Sequence, residues 1–144
     1  MYKKEKKIIG RSDIVNFPDL QLEEIAIKID TGAYTSSIHC KDITEENGIL
    51  KCTFLDEDHP QYNSMIFTFK EYKKITVRSS NGLAQERYEV KSTIQLFNKT
   101  YKISLSLNDR QEMKFPVLIG RKFLNDKFIV DTQLKDLSFQ QQDQ

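Results

Sequence analysis

Asp30-Thr31-Gly32 closes an apolar-alternating run within KIDTGAYTSSIHC, the stretch from Lys28 to Cys40. A carboxylate on a tight turn at a strand end has two readings. In one, Asp30 shuttles protons, since amide hydrolysis needs a base to activate water and an acid to protonate the leaving nitrogen. Thr31 then locks the turn through its hydroxyl, and Gly32 lets its backbone N–H approach the carboxylate. In the other, Asp30 makes an Asx-type turn and Thr31 caps the strand end, with no chemistry beyond the bend. By itself the tripeptide favours the turn. A second block far downstream shifts the balance: Val117-Leu118-Ile119-Gly120 is an apolar run ending in glycine, followed by Arg121 and a short helical pattern.

Two carboxylates a few ångströms apart supply base and acid together, because like charges prevent both from ionising. One chain offers one such aspartate. The nearest internal echo, Val130-Asp131-Thr132-Gln133, carries Gln133 where the turn requires glycine, so Asp131 reads as the end of the last strand. Two copies of Asp30 on a two-fold axis would rebuild the pair, and the expectation is a homodimer acting on a peptide or protein substrate.

Arg78, Ser79, Ser80, Asn81, Gly82 and Arg87 form the other candidate group. They are either a flap that covers substrate and excludes water or a solvated hairpin. Guanidinium groups grip carboxylates in bidentate fashion, so Arg78 and Arg87 over a cleft would suit an acidic peptide such as a glutamate tail; surface ion pairs are the plainer alternative. Arg110 and Arg121 read as braces of the fold, and Lys3, Lys4, Lys6 and Lys7 as a solvated terminus. His39, Cys40, Cys52 and His59 are the soft ligands available. His39 and Cys40 are neighbours on a strand and point to opposite faces, and no H-E-x-x-H helix or G-x-x-x-x-G-K-[ST] loop is present. Neither a metal nor a nucleotide cofactor is expected.

The elements that must position these residues are strands. Ile25, Ile27 and Ile29 alternate with polar or small neighbours, as do Leu50, Cys52 and Phe54; Met65, Phe67 and Phe69; Ile75 and Val77; and Tyr101, Ile103, Leu105 and Leu107. Period two with β-branched and aromatic content describes half-buried strands. Asn81-Gly82 predicts a tight hairpin joining Lys74–Ser79 to Gln85–Ile94 as a projecting arm. One short helix is expected over Arg121 to Asp126, before a last strand at Phe128–Val130. Residues 1–137 read as one domain, and the glutamine-rich 138–144 as a polar flexible tail.

Composition bounds the partners. The 144 residues carry 22 Lys+Arg against 21 Asp+Glu, a formal charge of +1, which gives no electrostatic case for nucleic acid. No stretch has the apolar length to span a bilayer, and MYKKEKKIIGR lacks the apolar core of a secretory signal. With two cysteines lacking CxxC spacing, the chain reads as cytoplasmic.

Four ordered blocks, KIDTGAYTSSIHC, VRSSNG with Arg87, SLNDR with Met113, and FPVLIGRKFLNDKFIVD, resemble the retropepsin-like family labelled ATP-dependent zinc proteases and associated with RimK-type glutamate ligases. The resemblance runs from about Ile9 to Asp131. It implies an all-β, closed, mostly antiparallel barrel of the acid-protease type, with Asp30 as the catalytic carboxylate and Ile119, Gly120 and Arg121 as its structural motif. It also implies an aspartic endopeptidase or, alternatively, a catalytically silent module that binds and regulates an ATP-grasp ligase. Tyr34 departs from the pattern, since relatives commonly carry arginine there.

Overall fold

The computed structural model describes residues 5–78, 82–109 and 114–142. Ser79, Ser80, Asn81, Arg110, Met113, Lys3 and Lys4, singled out above, lie outside the described residues. The alternating segments become strands β1 (Lys7–Ile9), β2 (Ser12–Phe17), β3 (Leu22–Ile29), β4 (Ser36–Glu46), β5 (Ile49–Phe54) and β6 (Phe67–Phe69). The second half supplies β7 (Lys73–Arg78), β8 (Ala84–Leu96), β9 (Lys99–Asn108), β10 (Val117–Ile119) and β11 (Phe128–Val130). Two short helices accompany them among the described residues, α1 (Arg121–Leu124) and α2 (Leu137–Gln141).

Six strands close a ring in the order β10, β3, β2, β8, β9, β4 and back to β10. Closure removes the open edges that make a flat sheet an aggregation template. The three-residue β10 is the closing piece: it runs parallel to β3, with Ile119 opposite Ile29, and antiparallel to β4, with Val117 opposite Ile38. The closed barrel is the one expected, with one refinement: β3–β10 and β4–β9 are parallel seams, whereas β2–β3, β2–β8 and β8–β9 are antiparallel. A ring of short strands with long non-local connections permits both directions.

Inward-facing residues fill the ring. Ile25, Ile27, Ile38, Ile94, Leu105, Val117 and Ile119 have no exposed surface, and each such aliphatic side chain contributes about 1.5–3 kcal/mol on burial. Outside the ring, β5 and β6 extend β4, and Phe54 packs edge-on against Phe67 and Phe69. The strand expected at Met65 begins instead at Phe67, leaving Met65 exposed.

The strands expected on either side of Asn81-Gly82 pair antiparallel as β7 and β8, in a ladder that ends at Arg78 opposite Ala84, while Asn81 itself lies outside the described residues. As two-residue turns, Asn47-Gly48 joins β4 to β5 and Phe97-Asn98 joins β8 to β9, all four residues having positive φ. The polar tail is not loose from its start, because α2 is docked. Its Ser138 and Phe139 N–H groups donate to the buried carboxylate of Asp13, and the Ser138 hydroxyl accepts the Phe97 N–H at 2.6 Å. Tertiary hydrogen bonds override a composition that favours fraying. No helix among the described residues is long and apolar enough to cross a membrane.

Candidate active site

Asp30 follows the last residue of β3, where the chain leaves the barrel wall and crosses the end of β10 to enter β4. Its own N–H donates to the Ile119 carbonyl at 2.8 Å, continuing the parallel seam by one bond. The Ala33 N–H then donates to the Asp30 carbonyl at 3.2 Å and bends the chain. From the other side, Arg121 N–H donates to the Ala33 carbonyl and Lys122 N–H to the Tyr34 carbonyl, both at 2.9 Å. The start of α1 is therefore bonded along the whole loop.

Gly120 stands at the centre of this junction. Its N–H donates to the Ser36 hydroxyl at 3.0 Å, and a Cβ there would come within 2.5 Å of the Thr35 carbonyl oxygen. The position needs glycine for close approach, since its φ of −96° is open to any residue. Arg121 adds a clamp: its guanidinium donates to the Thr31 carbonyl at 2.9 Å and lies 5.9 Å from the centroid of the Tyr34 ring. Thus Asp30, Thr31, Gly32, Ile119, Gly120 and Arg121, predicted from two distant blocks, meet in one junction.

The roles within the triplet differ in detail from the sequence reading. Thr31 is exposed and engages Arg121 through its carbonyl, and its hydroxyl makes no hydrogen bond among the described residues. Gly32 lies outside the left-handed region, and a Cβ on it would make ordinary contact with Asp30 Oδ1 at 3.5 Å. A glycine there keeps that flank of the carboxylate open. Asp30 is half-buried, while Thr31, Gly32 and Tyr34 are exposed, so the carboxylate sits on a rigid loop at the protein surface. Sequence reasoning missed Ser36, which satisfies the buried Gly120 N–H; the only signal was a hydroxyl residue at the start of β4.

The internal echo at Asp131 belongs elsewhere. Asp131 follows β11, its N–H donates to the Ile9 carbonyl and its carboxylate accepts the Gln133 N–H at 3.0 Å, an Asx turn. One chain therefore places one aspartate at the β3–β10 junction.

Of the second candidate group, Arg78 and Gly82 lie at the far end of the β7–β8 arm and Arg87 lies opposite Ile75 within it. The Arg87 guanidinium bonds to the Gln85 side chain at 3.0 and 3.2 Å. The base of the arm is tied to β4: Tyr72 and Tyr88 both donate hydroxyl hydrogen bonds to Glu45, at 2.6 and 3.3 Å.

The soft ligands divide between two places. Cys40 and Cys52 are buried side by side, and the hydrogen bond from Cys52, then burial, push the Cys40 thiol well above its ordinary range. His39 faces Asp56 at 3.7 Å, and burial followed by the nearby His39 lowers His59. No group of three or more His, Cys, Asp or Glu side chains among the described residues is arranged to hold a metal ion.

Residues 8–141 match a family model described as RimB-like, retropepsin-like aspartic endopeptidase RimB. The chain is 34% identical over 132 residues to a probable alpha-L-glutamate ligase of Shewanella pealeana, a match covering 88% of this chain and 28% of that protein. A probable alpha-L-glutamate ligase of Desulfotalea psychrophila is 30% identical over 136 residues, covering 90% of this chain and 29% of the relative. The chain thus spans little more than a quarter of the length of these relatives. Among solved structures, a Legionella pneumophila protein of unknown function superposes with a TM-score of 0.61 at 25% identity, covering 93% of this chain and 99% of that one.

Proposed function

This chain belongs to the RimB-like family of retropepsin-like aspartic endopeptidases, and from that membership and the one aspartate at its β3–β10 junction we propose that it hydrolyses peptide bonds as a homodimer. Asp30 from each copy supplies one carboxylate of the pair. The observation that carries this reading is the anchoring of Asp30: its loop is bonded to β10 and α1 at four points while the carboxylate flank at Gly32 stays open. A rigid, half-exposed acid is what a second copy can complete.

In the pair, the ionised carboxylate takes a proton from water as the water oxygen attacks the scissile carbonyl carbon. The protonated partner gives its proton to the carbonyl oxygen, and collapse of the tetrahedral adduct releases the amine after a proton passes to its nitrogen. Arg121, Ser36 and Gly120 hold the loop so that Asp30 does not move during these transfers. The β7–β8 arm, with Arg78, Gly82 and Arg87, acts as the flap. Arginines there suit acidic or glutamate-modified protein tails. Buried reduced thiols at Cys40 and Cys52 accord with a cytoplasmic setting.

A second reading has its own support: the relatives named as glutamate ligases share this region over little more than a quarter of their length. On that reading the barrel binds and regulates an ATP-grasp ligase without cleaving peptides. Asp30→Asn separates the two, since it keeps the size and hydrogen bonding of the side chain. Incubation of parent and variant with a glutamate-tailed protein, followed by mass spectrometry, should show tail removal by the parent alone. Equal behaviour of both, with ligase binding retained, would favour the regulatory module.

A further inference from the structure

Beside the Asp30 loop lies a cavity of about 480 Å³ with an unusual concentration of positive charge. Lys91 and Lys102 reach it from β8 and β9, and Lys122 and Lys127 from α1 and the turn after it. The strand register explains the first pair. Lys91 lies opposite Ser104 and Thr93 opposite Lys102, so one face carries two lysines on one diagonal and two hydroxyl residues on the other. Among the described residues Lys91, Lys102 and Lys122 have no ion-pair partner, and Asp19 is the one carboxylate lining the cavity. Lys127 donates to the Phe123 carbonyl at 2.9 Å, which holds its ammonium at the wall.

Like charges gathered at a concave surface repel, and a cleft concentrates their field on an incoming anion. A hydroxyl on the wall adds a second observation. Thr93 lines this cavity on the lysine face, and its side-chain oxygen is shielded and without a hydrogen-bond partner among the described residues, whereas its neighbour Ser92 points to the opposite face of β8. A shielded hydroxyl in that condition is uncommon in folded proteins and asks for an acceptor. The lysines stand on long stems around a wide opening, without an arginine fork or a cradle of backbone N–H groups. Separated point charges suit several carboxylates spaced along a chain better than one compact phosphate.

We propose that this cavity is an exosite for the side-chain carboxylates of a glutamate-rich peptide segment, with Lys91, Lys102, Lys122 and Lys127 as its charges. The choice of peptide rests on the endopeptidase reading, while the site itself rests on the cavity. Its position couples the two: Ser36 lines the cavity and accepts the Gly120 N–H, and Lys122 donates its N–H to the Tyr34 carbonyl. A tail held here is anchored against the elements that fix the Asp30 loop.

Binding of a fluorescent hexaglutamate peptide, followed by anisotropy, tests the exosite without reference to cleavage. The parent and Asp30→Asn should bind alike, with affinity falling as salt rises. The double variant Lys91→Gln/Lys102→Gln should bind at least tenfold more weakly, and the control Lys51→Gln/Lys70→Gln should match the parent. All four lysines are exposed, so folding should persist, and an unchanged amide spectrum outside the cavity would confirm it. Inorganic phosphate should compete no better than sodium chloride at equal ionic strength. Equal affinity of parent and double variant, no binding by the parent, or selective displacement by phosphate would each overturn the proposal. Binding without hydrolysis would leave it standing and count against the endopeptidase reading alone.

Discussion

Gly120 lies so close beneath Tyr34 that a Cβ on it would come to 2.6 Å from the Tyr34 carbonyl oxygen. The neighbouring atoms are backbone and cannot rotate away. Gly120→Ala must therefore push the Asp30 loop outward, which breaks the bonds from Arg121 and Lys122 to Ala33 and Tyr34. Overpacking of this kind costs about 1–3 kcal/mol. Urea denaturation should show that loss, and any peptidase activity should fall further than stability does, since the displaced loop carries the carboxylate.

The Ser36 hydroxyl is the acceptor for Gly120 N–H, and Ser36 is 3% exposed. Ser36→Ala leaves that N–H buried without a partner, at a cost of about 1–3 kcal/mol. Ser36→Thr retains the oxygen and should recover most of the loss. Equal stability of all three forms in thermal unfolding would show that water replaces the hydroxyl.

Part of this arrangement was legible in the chain and part was not. Burial demands period two, so Ile25, Ile27 and Ile29 declared β3, and Asp30 at its end followed directly. Gly120 before a short helix was legible for the same reason. The insertion of β10 between β3 and β4 depends on pairing across some ninety residues, which no local pattern records. Turn chemistry was legible at Asn47-Gly48, whose positive φ values make the two-residue turn between β4 and β5. Phe97 takes a left-handed conformation that its type disfavours. The Ser138 hydroxyl and the tilted contact with Phe128 at 6.0 Å hold it there. A glutamine-rich end concealed α2 because its anchor, Asp13, lies more than a hundred residues away.

Glu45 accepts the Tyr72 hydroxyl at 2.6 Å, and this bond pushes the Tyr72 pKa up to about 12. The raised folded value means that the bond's contribution is fully present below the unfolded value near 10 and is lost as pH rises through about 12. Glu45→Gln should return the Tyr72 titration toward the ordinary range, measured by phenolate absorbance. It should also speed hydrogen exchange at β7 amides near pH 7 with little change in global stability, because the pair is exposed. Unchanged exchange would mean that the β7–β8 ladder, not the tether, sets the arm's mobility.

Asp13 is 1% exposed, and its carboxylate accepts N–H bonds from Ile14, Ser138 and Phe139 at 2.8, 2.9 and 3.1 Å. Burial outweighs these donors and raises its pKa, with Asp136 adding to the rise. The folded chain therefore holds this proton to a higher pH than the unfolded chain. Its contribution to stability is fully present below the unfolded value near 3.8 and declines as pH climbs through the raised folded one. Asp13→Asn has no proton to lose, so the parent's stability relative to this variant should fall from pH 4 upward and level off once the folded carboxyl has ionised. Asp13→Ala, which strands three N–H groups, should cost on the order of 3 kcal/mol across the range. Denaturant unfolding of the three proteins at steps between pH 3 and 8 checks both. A parent that gains on Asp13→Asn as pH rises would show that the three N–H donors, not burial, govern this carboxylate.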